Sequence, residues 1–315
     1  MNTESNTAPD TSGNAGVTDP SYNISATRPL YWSVRRELWE NRSIYIAPLI
    51  VAGLVLFGYA ISAIGLPHRR RALLLLDPVR QRAIIEGPYD AAALMLMLAA
   101  FLVGIFYCLD ALHGERRDRS ILFWKSLPVS DLTSVLAKVI IPMLILPVIT
   151  FVLIEVTQLI ILLLSTLTLV PFGLGATTWE RLQFFQLSVI LLYSIVTSVL
   201  WGAPVYGWLL LVSAWARRAT FLWAVLPWLA VCIVEKIAFN TTHFLHLLGH
   251  RVFGSYEDAF VLVPPPHHAV IPVVDWLSQL APLKFISTPG LWIGFVFAVA
   301  FLAAAVRLRR YRGPL

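Results

Sequence analysis

Charge is scarce in this sequence. Of 315 residues only 13% are charged, while 58% are hydrophobic. A soluble domain carries about a quarter charged residues, and a soluble fold this poor in charge would leave broad apolar patches in water. Cysteine is nearly absent as well. Cys108 and Cys232 are the only two, and both lie within apolar runs. That argues against a disulfide framework or a Cys-based zinc site, and the two read as buried free thiols. There are four lysines, and none follows a glycine. The Gly-Lys-Ser/Thr loop that cradles nucleotide phosphates is therefore missing, and the chain supplies no ATP site of that kind. No Gly-x-Ser-x-Gly elbow occurs, nor a cysteine nucleophile with a plausible partner, so hydrolase chemistry of those types finds no support. The first 26 residues lack the basic start and apolar stretch of a cleaved signal peptide. They are rich in Asn, Thr, Ser, Gly and Asp, with little apolar surface to bury, and read as a disordered cytoplasmic tail.

What the chain does have is long uncharged runs separated by short clusters of charge. A helix needs about 20 mostly apolar residues to cross the hydrocarbon core. Six runs qualify, at about 44–64, 91–110, 139–165, 186–212, 220–239 and 290–306. The expectation is an all-α integral membrane protein with about six transmembrane helices in one domain over 27–315, and an external segment over 240–289. Pro142, Pro147, Gly202, Pro204 and Pro227 interrupt the runs. In a bundle, neighbouring helices re-satisfy the carbonyls that proline frees, so kinks and not breaks are expected.

Orientation follows from Lys and Arg. With the N-terminus inside, cytoplasmic segments hold fifteen of them and external segments nine, so both termini are expected in the cytoplasm, at the plasma (bacterial inner) membrane. The net charge of +6 then reflects loops facing anionic headgroups and does not call for a nucleic-acid partner. One loop dissents: Arg69, Arg70, Arg71, Arg80 and Arg82 all fall on the external side.

Before the first span, Pro29 opens an expected helix running to about Asn41. Leu30, Val34 and Leu38 recur at helical spacing, with Trp32, Trp39, Arg35 and Arg36 alongside. Apolar and aromatic groups interleaved with Arg suit a helix lying in the cytoplasmic headgroup region.

The most informative stretch follows the second span, from Glu115 to Lys138. Charges crowd Glu115 to Arg119. Ile121, Leu122, Phe123, Trp124 and Leu127 then make a short apolar helix with Lys125 beside them. Pro128 stops that helix, and Ser130 or Asp131 is placed to cap the third span. A short interfacial helix joined to two spans and framed by charge suits transmission of a push from a soluble partner. At these residues the sequence resembles the permease subunits of ABC transporters, type-2 exporter class. The matching features are Glu115, the basic turn Arg116 to Arg119 with Asp118 within it, Ser120, the Leu-Pro-Val-Ser step at 127–130, and Lys138. The Leu291-Trp-Ile-Gly294 span ending in Arg309-Arg-Tyr-Arg312 is similar to that family too. The resemblance implies a homodimer or paired permease, with ATP-binding subunits docked at the 115–138 coupling segment. It places ATP and Mg on the partner and no cofactor on this chain. This chain would be the transporter subunit and not itself the enzyme. The alternatives are a secondary transporter, or a membrane-embedded protein that handles metal or haem through the external histidines.

Those histidines are His243, His246 and His250, which share one helix face, with Glu257, Asp258, His267 and His268 downstream. Imidazole suits Zn, Cu and Fe, which makes the three the metal candidates. The general-base Glu of His-Glu-x-x-His is missing, and the favoured reading is the wetted face of an amphipathic helix. Glu155 and Gln158, with Ser165, form a polar stripe on the third span. Translocation lining and helix–helix contact both account for it. Glu235 and Lys236, at the outer end of the fifth span, read as a snorkelling or mutually paired couple. Asp110 and His113 read as interfacial.

Overall fold

A computed structural model describes residues 27–73, 76–120, 130–261 and 277–311. The tail over 1–26, the coupling helix expected around Phe123, Trp124, Lys125 and Pro128, and His267 and His268 lie outside them. Among the described residues the only regular secondary structure is helix, apart from one isolated antiparallel bridge between Phe260 and Leu280. Six of these helices are long and apolar enough to cross a membrane: Ser43–Ala63, Arg80–Arg117, Asp131–Phe172, Phe184–Trp215, Thr220–Phe239 and Pro289–Tyr311. The protein is an all-α, multi-pass membrane protein.

Its surface is that of a molecule dissolved in lipid. Leu54, Phe57 and Ile61 on the first span, Leu163 and Leu167 on the third, and Val296 and Val299 on the sixth are exposed. Meanwhile Thr157, Gln158, Ser165, Ser194, Thr197 and Ser213 are buried. Polar groups turned inward and large apolar groups turned outward are stable only where the surroundings are hydrocarbon. The fifth span contributes a single buried residue, Ala224, and lies at the periphery. The fourth and sixth spans make the most extensive helix pair. Their backbones come close at Gly207, where a Cβ would stand 3.3 Å from the backbone of Ala298, the small-residue contact that packs helices tightly in lipid.

Two spans are longer than hydropathy suggests. The second begins at Pro78, not near 91, and runs 34 residues to Ala111, about 51 Å at 1.5 Å per residue. Proline at the first helical position gives up an N–H that would be orphaned in any case. The polar start then continues one buried face through Gln81, Ile85, Tyr89 and Ala92. The third begins at Asp131, not 139, because the Ser130 hydroxyl accepts from the Thr133 N–H at 3.0 Å. The prolines leave the helices unbroken: Pro88, Pro204 and Pro227 lie inside continuous helix. Pro142 falls in a π-helical turn, Ile141–Ile145, which widens the ladder where the proline has no N–H to give.

The bundle has two ends. The N-terminal helix Thr27–Glu40, residue 115, the start of the third span and the close of the sixth share the proximal end. The helices Leu66–Leu73, Ala176–Arg181 and His243–Phe253 share the distal end. The arginines of the segment that dissents from the charge count are at the distal end, and most have partners within the protein. Arg69 donates to the Ser62 carbonyl, and Arg70 donates to Thr178. Arg71 lies over the Phe172 ring, and Arg82 pairs with buried Glu86 at 2.7 Å. A simple count of Arg treats them as free charges attracted to headgroups, whereas each of these four makes at least one contact within the fold.

Candidate functional site

The N-terminal helix is bound to the proximal end through one face. Val34 and Leu38 pack against the main core cluster, while Trp32 and Trp39 stay outward with the Arg35 guanidinium over both rings, at 5.2 and 5.0 Å. Arg35 stays on the exposed face of that helix. Arg36 does not: it turns inward to Glu37 at 2.9 Å and Glu115 at 3.2 Å.

Arg36 thereby enters a network of three acids and three bases drawn from four segments, with the exposed Glu40 at its edge, 3.5 Å from Arg36. Lys138, 2% exposed at the foot of the third span, donates to Glu37 Oε1 at 2.7 Å and lies 3.2 Å from Glu115. Arg309, near the end of the sixth span, contacts Glu115 at 3.2 Å and Asp131 at 3.3 Å. The Tyr107 hydroxyl donates to the other oxygen of Glu37 at 3.0 Å. Burial raises the Glu37 carboxyl, but Lys138 and Arg36 together outweigh it and hold the group below its ordinary value. Balanced charge is what allows these groups to leave water at all.

Satisfaction is uneven across the network. The Glu37–Lys138 contact is a short, well-directed hydrogen bond. The Arg309 contacts are ionic only, since its Nε and Nη1, and Glu115 Oε2, are buried without a hydrogen-bond partner. One side of the network is therefore fastened tightly and the other loosely.

The short helix His113–Arg117 is locked to the fourth span. Ser213 Oγ accepts from the backbone N–H groups of Leu112 and His113 at 3.0 and 2.9 Å. Arg116 donates to the carbonyls of Ala214 and Ala216 at 2.8 and 3.3 Å, filling the acceptors a helix end leaves open. Beside it an open cleft of about 600 Å3 is lined by Trp215, Arg217, Arg218 and Trp223. Beyond Arg116 the chain turns outward. Asp118 is exposed and pairs with Arg117 at 3.0 Å, and Arg119 is exposed with φ +58°. Ser120 Oγ reaches back to the Glu115 carbonyl at 3.4 Å.

Of the residues singled out in the sequence, Glu115, Arg116 and Lys138 thus meet at one end, whereas Asp118 and Arg119 face away from it. Glu37 and Tyr107 were missed, and Arg309 stood out only as part of the C-terminal resemblance, not as a member of this site. The signal for Glu37 was its place beside Val34 and Leu38 on an apolar stripe, where a solitary acid implies a partner. Lys138 carries the same signal in Asp131–Ile140.

The other candidates are dispersed. Glu155 accepts from Ser188 of the fourth span at 2.9 Å, and Gln158 donates to the Tyr89 carbonyl of the second span at 3.3 Å. The two therefore hold different neighbours. Glu235 does not pair with Lys236. Its carboxylate accepts from the Thr241 hydroxyl and the His243 and Phe244 N–H groups at 2.8 to 2.9 Å, capping the next helix. His243, His246 and His250 are all exposed on that helix. His250 comes within 3.7 Å of Asp258 and 3.9 Å of Glu257. Among the described residues no three His, Cys, Asp or Glu side chains converge as a metal set would. Comparison with family models, with curated proteins and with solved structures finds no match to this chain.

Proposed function

We propose that this chain is the membrane-spanning permease subunit of an ATP-driven ABC exporter, working as a homodimer or with a second permease. In this reading the proximal end is cytoplasmic at a plasma membrane, and both termini lie on that side. A separate ATP-binding subunit, which carries ATP and Mg, docks at the 115–138 segment.

The observation that carries the reading is the three-acid, three-base network. A push on residues 115–120 reaches the N-terminal helix through Arg36 and Glu37, the third span through Lys138, and the sixth through Arg309. Arg116 and Ser213 carry it to the fourth. A loop that merely joins two spans has no need of such bracing, and buried ion pairs are more often devices for register than for net stability. The outward charges Arg117, Asp118 and Arg119 and the Trp-lined cleft lie on the same end, where a soluble partner would dock. The under-satisfied contacts of Arg309 give the network a side that can let go as the spans move.

The test is co-expression with ABC-type ATP-binding subunits, followed by reconstitution and ATPase assay. Arg117→Glu with Arg119→Glu changes exposed side chains and should leave the permease folded, while co-purification and ATPase activity fall together. An unchanged complex with full activity would remove the 115–120 turn from the coupling path. Failure of any ATP-binding subunit to assemble with the parent chain would sink the exporter reading.

A further inference from the structure

We propose that the distal end of the bundle holds an oxyanion site centred on Arg70, and that the group it takes is a phosphate. This goes beyond the exporter reading and does not depend on it.

Arg70 lies on the Leu66–Leu73 helix and is only 4% exposed. Its Nη2 donates to Thr178 Oγ1 at 3.1 Å. Its Nε and Nη1 are buried with no acceptor. Among the described residues no carboxylate pairs with it, and the buried acid Glu86 pairs with Arg82 on its own helix. An arginine cannot escape such a position by losing its proton, so the buried charge has to be met by an anion. Burial pushes the guanidinium down from its ordinary value, opposed only by Tyr59 and Tyr89.

The surroundings are those of an anion receptor. Tyr59 and Tyr89 lie within electrostatic range of Arg70. The Tyr89 hydroxyl is itself buried without a hydrogen-bond partner. A guanidinium with two N–H groups lacking acceptors, beside the Thr178 hydroxyl and within electrostatic range of Tyr89, offers donors from more than one residue. That arrangement suits a tetrahedral oxyanion, to which the planar fork can bind through two oxygens. Arg69 and Arg71 on either side add positive potential. Arg70 stands on the short helix that follows the first span, at the distal end of the bundle, where a lipid phosphate or a soluble phosphate could approach.

The two sources of phosphate separate in one experiment on the full chain, purified in neutral detergent and stripped of lipid. With a free oxyanion as ligand, inorganic phosphate raises Tm saturably while chloride at equal ionic strength does not. Tyr89→Phe then needs about tenfold more phosphate, the loss of one hydrogen bond to a charged group, and Arg70→Gln shows no response. With a lipid headgroup as ligand, phosphate does little. Native mass spectrometry before stripping then finds a phospholipid retained by the parent and lost from Tyr89→Phe and Arg70→Gln. The Tyr89 variant keeps the charge and answers the question even where the Arg70 variant fails to fold. If the parent neither responds to phosphate nor retains a phospholipid, or if Tyr89→Phe matches it in both, Arg70 is held by its hydroxyl neighbours alone and the site does not exist.

Discussion

Lys138 and Glu37 are 101 residues apart in sequence and 2.7 Å apart in space, both almost fully buried. The hydrogen-bonded pair ties the foot of the third span to a helix that precedes the first.

Removing one partner of a buried ion pair leaves the other charge stranded, which costs about 3–5 kcal/mol. Lys138→Met and Glu37→Gln should each lower the stability of the detergent-solubilised chain by an amount of that order. Combined, they should cost less than the sum, because neither charge is left without the other. Thermal unfolding of the four proteins measures the coupling. Strict additivity would mean that the pair does not interact.

Glu37 also predicts a pH dependence. Its folded value is held below the ordinary 4.5, so its contribution is present above that value. It is lost as pH falls through the lower folded value, where protonation breaks the contacts to Lys138 and Arg36. The stability difference between the parent and Glu37→Gln should be flat from about pH 8 to about pH 5 and shrink only in more acidic buffer. A difference that shrinks on the alkaline side would contradict the assignment.

Ser213 is fully buried, and one hydroxyl oxygen serves two backbone donors. Ser213→Ala leaves the N–H groups of Leu112 and His113 without that acceptor, at about 1–3 kcal/mol for a buried unmade hydrogen bond. The expected result is a lower Tm with faster amide exchange confined to residues 112–117. Exchange that rises evenly over the whole chain would show that Ser213 does not anchor the turn.

Gly294 gives room to Arg251, whose guanidinium lies 4.6 Å from the Trp201 ring and donates to the Gly290 carbonyl at 3.0 Å. A Cβ at Gly294 would overlap that guanidinium. Gly294→Ala should therefore destabilise the chain, and Arg251→Ala in the same molecule should recover part of the loss, since neighbours in contact are not additive. A Gly294→Ala chain as stable as the parent would overturn this reading.

Orientation is tested by labelling single cysteines placed at positions 80 and 119 in a Cys108→Ala, Cys232→Ala background. With the proximal end in the cytoplasm, position 80 reacts with an impermeant reagent in intact cells and position 119 only after permeabilisation. The reverse pattern would invert the layout.

Apolar run length alone determined the six spans and the helical class, because hydrocarbon demands helices whose backbone groups are satisfied internally. It placed the fifth span at its observed limits, Thr220–Phe239. It cut the second and third short, where Arg80, Arg82, Asp131 and Lys138 dilute the hydropathy of turns that are nevertheless helical. The local pattern around Ser130 was enough to locate a cap. Which charges face water was not a local matter. Arg35 and Arg36 are neighbours of one type, yet one lies against tryptophans and the other is turned into an ion network. Only the packing of four separate segments decided that. A salt bridge is a property of distance between elements, and the sequence records each charge without recording what stands opposite. For the same reason the sequence counts the five distal arginines as free charge, while the fold gives four of them Ser62, Thr178, Phe172 and Glu86 as contacts.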